Sequence, residues 1–381
     1  MSKENIRSEI DKLDDQLVEL YLKRFDLVKE IAKFKEENNL PVSDPARERE
    51  ILKRVALKAG PEFEDEVAML FTQLFSLSRA KERRMILKES KLEREIKRAF
   101  ATAPDSFPSH ATVACQGTEG AFSQQATSEL FKFPAILFFH SFSDIFAAVE
   151  KGMCQYGVLP IENSSAGSVT AVYDQMQKHD FRIVRAVKLH VSHALLAPKG
   201  TVMSDIKEVK SHPQALSQCS IFLHGMKGVV QTPFANTASA AKELAASGRK
   251  DQAVIASRNC AELYGLEVLK DNICDTPSNF TRFICISREL EIYKDSRKIS
   301  LMLTLPHKPG SLAAILAKFS SIGLNLTKLE SRPIPGMEFE FRFIFEFESK
   351  PNDPDAVRLL SELSTDPEIE QFTFLGAYAE I

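Results

Sequence analysis

Eight apolar residues near the start of the chain, Ile6, Ile10, Leu13, Leu17, Leu20, Leu27, Ile31 and Phe34, are separated by alternating steps of four and three. That spacing lays them along one seam of a helix packed in a bundle. A helix over about residues 5–38 extends on the order of 50 Å at ~1.5 Å per residue. A compact three-helix unit cannot cover such a length alone, so a second copy of the chain is expected against it. Pro41 ends the connection that follows, Asp44-Pro45 supplies an N-cap with proline at the first helical position, and a third helix is expected from about residue 62 towards 98. Charge marks the same boundary: 43 of the first 100 residues are Lys, Arg, Asp or Glu, against 58 among the remaining 281. Residues 1–100 therefore read as an all-α domain.

The seam has one break. Carried through the gap between Leu20 and Leu27, it lands on Arg24, a cation where apolar packing is required. A buried guanidinium is costly unless an anion pairs with it, so the bundle holds either an internal carboxylate or an anionic ligand. More cations favour the ligand: Lys35 lies beside the seam, Arg7 is one residue off it, and Arg47-Glu48 follow the cap.

From Thr112 onward, short apolar runs alternate with Gly-, Pro- and Ser-bearing turns and helical stretches, which predicts a mostly parallel sheet in an α/β unit. Strands are expected at 112–115, 135–139, 156–159, 182–187, 253–256 and 283–286, with helices such as 143–150 between them, and residues 110–290 leave room for two lobes. The tail, 297–381, reads strand (300–305), helix (311–321), strand (324–330), strand, helix (354–363) and strand (369–375). That order is βαββαβ, an α+β unit. In its third strand Phe339, Phe341, Phe343, Phe345 and Phe347 share one face and Glu340, Arg342 and Glu346 the other, so one face is core.

Length and charge exclude several functions. A chain of 381 residues forms two or three units. With 49 Lys+Arg against 52 Asp+Glu there is no basic excess, so nucleic acid is not an expected partner. No apolar run reaches the ~18 residues of a membrane span and the polar first residues carry no signal core, so a cytosolic protein with no membrane partner is expected. Cys115, Cys154, Cys219, Cys260, Cys274 and Cys285 form no C-x-x-C pair and read as reduced thiols; neither a metal nor a cofactor is implied.

Motifs gather at strand ends: G-T-E-G-A-F-S from Gly117, P-I-E-N-S-S-A-G from Pro160, S-H-P-Q-A-L-S-Q-C from Ser211 and N-F-T-R-F from Asn279. Each alone is a set of caps and turns. His212 in the third is expected to cap a turn. The tail adds Pro309-Gly310-Ser311-Leu312, where Gly310 frees the backbone at a helix start whose N–H groups suit a carboxylate, and Glu330-Ser331-Arg332-Pro333.

These residues carry family resemblances. Arg7, Arg24, Lys35, Asp44, Arg47 and Glu48 match, at matching spacing, the active-site pattern of the all-helical chorismate mutases. The resemblance implies that Arg24 and Arg47 hold substrate carboxylates, joined by Arg7 of the other subunit, that Lys35 meets the ether oxygen and that Glu48 accepts from the ring hydroxyl. Counted from Leu70-Phe71, the family's serine falls on Ser78 and its usual glutamine on Glu82, one helical turn apart. To donate to the ether oxygen Glu82 must be protonated, so a mutase optimum displaced to acid relative to Glu82→Gln is expected. The other reading makes Glu82 an exposed residue of a Lys/Arg-rich helix.

The middle resembles prephenate dehydratase, whose fold is a two-lobed, periplasmic-binding-protein-like α/β unit. The resemblance implies that Thr281 hydrogen-bonds or protonates the leaving hydroxyl, that Asn163, Ser164 and Gln218 orient the substrate, that Arg282 pairs a carboxylate, and that Phe283 belongs to the same motif. Water or Glu162 is the expected proton source. Thr118 and Ala121 depart from the family's proline and hydroxyl residue. The tail resembles an ACT domain of the ferredoxin-like kind, which implies phenylalanine binding at Pro309, Gly310, Ser311, Leu312, Asn325, Glu330, Ser331 and Arg332; a ligand-free dimerisation domain is the other reading. Together the three units resemble the bifunctional chorismate mutase/prephenate dehydratase family, which implies chorismate, prephenate and L-phenylalanine as ligands and a homodimer or tetramer. A dehydratase with an inactive, dimerising helical domain and a non-enzymatic ligand sensor are the rivals.

Overall fold

The computed structural model describes residues 3–38, 40–86, 89–334, 336–337 and 340–381. The N-terminal helices are α1 (Lys3–Glu37), α2 (Pro45–Ala59), α3 (Glu64–Ile86) and α4 (Lys91–Ala101). Asp44 caps α2, its Oδ1 accepting the Arg47 N–H at 3.0 Å. The expected third helix is two: Ser90 is extended and its Oγ accepts the Glu93 N–H at 3.1 Å, which starts α4 afresh. α4 then leaves the bundle, burying Ile96 against Ile299 and Leu360 of the tail. The row of α1 that includes Arg24, Val28, Ala32 and Lys35 turns towards α3, whereas the apolar seam from Ile6 to Phe34 is exposed in the single chain, Leu17 by 61%.

The middle runs β1 (His110–Gln116), α5 (Phe122–Leu130), β2 (Phe133–Phe139), α6 (Phe142–Glu150), β3 (Tyr156–Asn163), β4 (Gly167–Ser168), α7 (Thr170–Met176), β5 (Arg182–His190), β6 (Ala194–Pro198), β7 (Glu208–Ser211), α8 (Pro213–Gln218), α9 (Ser220–Gly225), β8 (Val230–Pro233), α10 (Thr237–Ser247), β9 (Gln252–Ala256), α11 (Asn259–Tyr264), β10 (Leu266–Lys270) and β11 (Phe280–Ser287). The tail is β12 (Lys298–Thr304), α12 (Ser311–Ser321), β13 (Leu326–Pro333), β14 (Phe341–Glu348), α13 (Pro354–Thr365) and β15 (Gln371–Glu380).

Two sheets make two lobes, one in the order β10-β6-β9-β7-β8, the other β13-β14-β12-β15-β5-β11-β3-β1-β2 with β4 on β3. The chain passes between lobes twice, after β5 and before β11. The sheets are mixed rather than mostly parallel, because β11 returns from the second crossing antiparallel to both β3 and β5, and β6 lies antiparallel to β9 and β10. The tail's sheet continues the first lobe's through β15, which pairs β5 at Ala379↔Arg185 and Glu380↔Ala186. This joint corrects the expectation of one core face in β14. Phe345 and Phe347 fill the tail's own core, but Ile344 on the other face packs with Ile284, Ile286 and Phe146 of the middle, and Glu346 beside it is buried. Phe339 lies outside the described residues.

Candidate functional sites

In the helical domain, α1 and α3 bring four of the expected residues into two pairs. Arg24 Nη1 donates to Ser78 Oγ at 2.6 Å, and Lys35 Nζ donates to Glu82 Oε2 at 2.7 Å and to the Val42 carbonyl at 2.6 Å. Glu82 is 6% exposed, which removes the reading of a surface glutamate. Its partner is an ammonium, from which the carboxylate accepts in the single chain. Glu48 accepts Arg79 Nη1 on both oxygens, at 2.5 and 2.6 Å. Arg79 was not foreseen; its only signal is its place beside Ser78 on α3. Arg47 turns outward to Glu50 at 2.7 Å, and Arg7 is exposed, so neither joins the cluster within one chain. Asp44 is the cap of α2. α3 also reaches the tail, through Arg83 to Asp366 at 3.0 Å and Arg79 to Glu368 at 3.3 Å.

The second site forms where the two lobes meet. β3 ends at Asn163, whose Cα partner in β11 is Thr281. Asn163 Oδ1 accepts the Ser165 and Ala166 N–H groups at 3.1 and 3.0 Å, a side-chain turn that leaves Nδ2 free to donate to Thr281 Oγ1 at 2.8 Å and Asn279 Oδ1 at 2.9 Å. With a lone pair of Thr281 so engaged, its own O–H is left to donate. Gln218, at the end of α8 in the other lobe, donates through Nε2 to Ser165 Oγ at 2.8 Å and accepts on Oε1 from Asn279 Nδ2 at 3.2 Å. A cavity of about 290 Å³ opens beside them, lined by Ser165, Gln218, Cys274 and Asn279 among others.

His193, between β5 and β6, was missed by the sequence reading because a lone histidine in an apolar run carries no motif. It is 3% exposed, its Nε2 lies 3.3 Å from Gln218 Oε1, and its Nδ1 has no hydrogen-bond partner among the described residues. Burial pushes its pKa down to about 4, so the ring is neutral at pH 7 and Nε2 carries the proton that the Gln218 carbonyl accepts. His212 caps α8, its Nδ1 accepting the Gln214 N–H at 3.3 Å. Ser164 ties the turn to the start of β11, accepting the Phe280 N–H at 2.9 Å. Ala121 starts α5 without a side-chain cap.

Three expectations for this motif are corrected. Arg282 projects from the opposite face of β11 to Thr281 and spends its guanidinium on Glu346, at 2.8 and 2.9 Å, so it is not a free partner for a substrate carboxylate. Glu162 lies on that same face, paired with Lys328 at 3.0 Å, and cannot supply the Thr281 proton from there. Phe283 is core, packed with Val113 and Val187.

In the tail, Gly310 holds φ +85° at the start of α12, with Pro309 exposed and Ser311 and Leu312 half-buried. Asn325 and Ser331 are exposed. Glu330 and Arg332 face the middle domain instead: Glu330 accepts Ser168 Oγ at 2.7 Å, and Arg332 donates to Thr170 Oγ1 at 3.1 Å. They make contacts between domains. Among the described residues no group of side chains suits a metal ion, and no helix is long and apolar enough to cross a membrane.

Family models match two parts of the chain: chorismate mutase type II at residues 6–83 and prephenate dehydratase at residues 113–291. The bifunctional chorismate mutase/prephenate dehydratase of Escherichia coli (strain K12) is 31% identical over 364 residues, 94% of this chain and 92% of the relative. Arogenate dehydratase/prephenate dehydratase 2 of Arabidopsis thaliana is 38% identical over 271 residues, 68% of this chain and 71% of the relative. Among solved structures, prephenate dehydratase from Arthrobacter aurescens in complex with L-Phe superposes with a TM-score of 0.64 at 29% identity, covering 70% of this chain and 89% of that one.

Proposed function

This chain belongs to the bifunctional chorismate mutase/prephenate dehydratase family, and from that premise we infer that one polypeptide carries chorismate through prephenate to phenylpyruvate. The observation that carries the reading is the presence on one chain of both family matches, each containing a cluster of the right chemistry: cations at Arg24 and Lys35, and the Thr281–Asn163 pair.

The first reaction is a Claisen rearrangement, which needs no nucleophile and no proton transfer, only a compact conformer and positive charge where the breaking C–O bond turns anionic. We assign Arg24 to a substrate carboxylate, which takes the place of Ser78 on its guanidinium, and Lys35 to the ether oxygen. Glu48, held on both oxygens by Arg79, is aimed to accept from the ring hydroxyl. Arg47 reaches the second carboxylate by leaving Glu50, and Arg7 arrives from a second copy whose α1 covers the exposed seam; the dimer is part of the proposal.

In the second reaction the bond from the ring to its carboxylate breaks to release CO2. That electron pair completes the aromatic ring as the C–O bond breaks, and the departing hydroxide takes one proton to leave as water. Thr281 O–H donates to that hydroxyl, oriented by Asn163, while Gln218 and Ser164 shape the site; the proton itself comes from water. L-Phenylalanine inhibits through residues 297–381, which we assign as an ACT domain with Gly310 and Ser311 at the ligand and Ser331 on the open face of β13. The L-Phe complex of the Arthrobacter relative supports that assignment.

The test is purified protein given chorismate, with chorismate loss and phenylpyruvate gain followed separately, with and without L-phenylalanine. Phenylpyruvate that forms and is suppressed by phenylalanine is the expected result. Conversion of prephenate alone leaves a dehydratase with a dimerising helical domain, and turnover of neither substrate leaves a sensor.

A further inference from the structure

His193 is a polar side chain where an apolar one would pack at lower cost. It stands between β5 and β6, 3% exposed, its ring at 80° to that of Phe122 with centroids 5.5 Å apart. Its backbone is held on both sides: the His193 carbonyl accepts the Ile273 N–H at 3.0 Å, and its own N–H donates to Cys274 Sγ at 3.3 Å. The ring is therefore fixed in place. Among the described residues it makes one hydrogen bond, from Nε2 to Gln218 Oε1 at 3.3 Å, and Nδ1 makes none. A buried nitrogen without a partner costs free energy that methionine in the same space avoids. Packing does not explain the imidazole, so the bond it does make has to.

That bond ends a line of side-chain amides crossing from one lobe to the other. An amide keeps its shape when its oxygen and nitrogen exchange places, so its direction is set by the groups it bonds. The Ser165 and Ala166 N–H groups can only donate, which fixes Asn163 with Oδ1 towards them and Nδ2 towards Asn279 Oδ1 and Thr281 Oγ1. Asn279 is thereby turned so that Nδ2 donates to Gln218 Oε1 at 3.2 Å, and Gln218 so that Nε2 donates to Ser165 Oγ at 2.8 Å. The second lone pair of Gln218 Oε1 faces His193 Nε2. Reversing Gln218 would set its oxygen against Asn163 Oδ1, now 3.3 Å from Nε2, and its N–H groups against the Asn279 amide nitrogen. Such lines act together, each bond sharpening the next.

We propose that His193 is a positioning residue of the dehydratase: with its proton on Nε2 it holds the Gln218 amide in one direction and so keeps the line through Asn279 and Asn163 aimed at Thr281. This rests on the reading of Thr281, Asn163 and Gln218 as the dehydratase centre. Without His193, Gln218 Oε1 keeps only its bond from Asn279, and the amide is free to swing between the lobes.

The experiment uses the full chain and measures dehydratase kcat and KM for prephenate, with mutase turnover and thermal stability as checks on folding. His193→Met keeps the bulk and removes the donor; it lowers dehydratase kcat about tenfold with KM changed less than about threefold, because alignment of the reacting groups is lost rather than binding. His193→Gln returns an N–H donor at similar reach and restores kcat to within about threefold of wild type. In a Gln218→Ala background His193→Met lowers kcat no further, since a residue that acts through another has nothing left to act on. Equal losses in His193→Met and His193→Gln, or the full tenfold loss on top of Gln218→Ala, overturn the proposal by showing that the ring only fills space. Nitrogen-15 NMR of the wild-type histidines reads the tautomer without any variant having to fold: a proton on Nε2 is expected, and one on Nδ1 overturns the proposal by turning a lone pair on Gln218 Oε1. Gln218→Ala alone separates the two readings: if it keeps full kcat, the assignment of Gln218 to the centre is wrong whatever His193 does.

Discussion

At the scale of single residues, Lys35 and Glu82 set the chemistry of the helical site. The ammonium assigned to the ether oxygen is already spent on a buried carboxylate and on the Val42 carbonyl. Glu82→Gln keeps the hydrogen bond, frees the charge of Lys35 for substrate, and supplies an amide donor. It is expected to raise mutase kcat/KM near pH 7 by about tenfold, the worth of one charge-assisted bond. A variant with the wild-type kcat/KM refutes this. His193 gives a prediction in stability. Its folded pKa of about 4 lies below the ordinary value of 6.5, so the unfolded chain binds a proton first as pH falls. Stability from keeping the ring neutral is complete above about pH 6.5 and is lost between there and about pH 4, an effect on the order of 3 kcal/mol. Denaturant unfolding across that window is steeper for wild type than for His193→Gln; equal slopes refute it. Arg24 was singled out because the apolar seam carried through its gap lands on it, and Lys35 because it lies beside that seam; the structure sets both on the neighbouring row that faces α3. Arg282 was misread because N-F-T-R-F does not say that alternate residues of the strand serve different domains.

At the scale of elements, α1 holds an unburied apolar seam. Ile10, Leu13, Leu17, Leu20, Leu27 and Ile31 are each roughly half exposed or more along a helix of 35 residues, and its own chain covers only the row facing α3. In the dimer proposed above, a second copy laid along the seam buries it and brings Arg7 to the opposite site, an isologous interface in which both sites gain the same residue. Leu17→Glu places a charge in the middle of that seam, away from Arg24. It is expected to shift the protein to monomer in sedimentation at micromolar concentration and to lower mutase kcat/KM at least about tenfold, since burying one carboxylate in an apolar interface costs several kcal/mol. A variant that stays dimeric with full mutase activity refutes it. The length of α1 was legible from its period alone. The strands β6, β7, β8 and β10, each of four or five residues, were not. The break before α4 rested on Ser90, one capping residue inside a charged run that otherwise continues the helix.

At the scale of the molecule, the three units read from the sequence are not three separate bodies. The βαββαβ order of the tail was legible because its elements are local, but its junction with the first lobe joins β15 to β5 by pairings nearly 200 residues apart, for which the chain carries no local signal. The junction leaves one mark, at Gly376. There β15 bends off β12, where the register shifts between Ser300 and Leu301, with φ +150°, and a Cβ would stand 2.1 Å from the Ile183 carbonyl oxygen. Beyond it, Tyr378 is fully buried against Arg282 and Ser300, and Ile381 exchanges backbone hydrogen bonds with Ala186 and Lys188 at 3.0 and 2.9 Å. A methyl group at 376 forces β15 away from β5, because the atom it meets is backbone and cannot swing aside. Gly376→Ala is expected to destabilise the chain by at least about 1–3 kcal/mol and to split a shared calorimetric transition into two, with the tail melting first. If the variant melts as one unit at the wild-type temperature, the β15–β5 junction does not join the two sheets into one body.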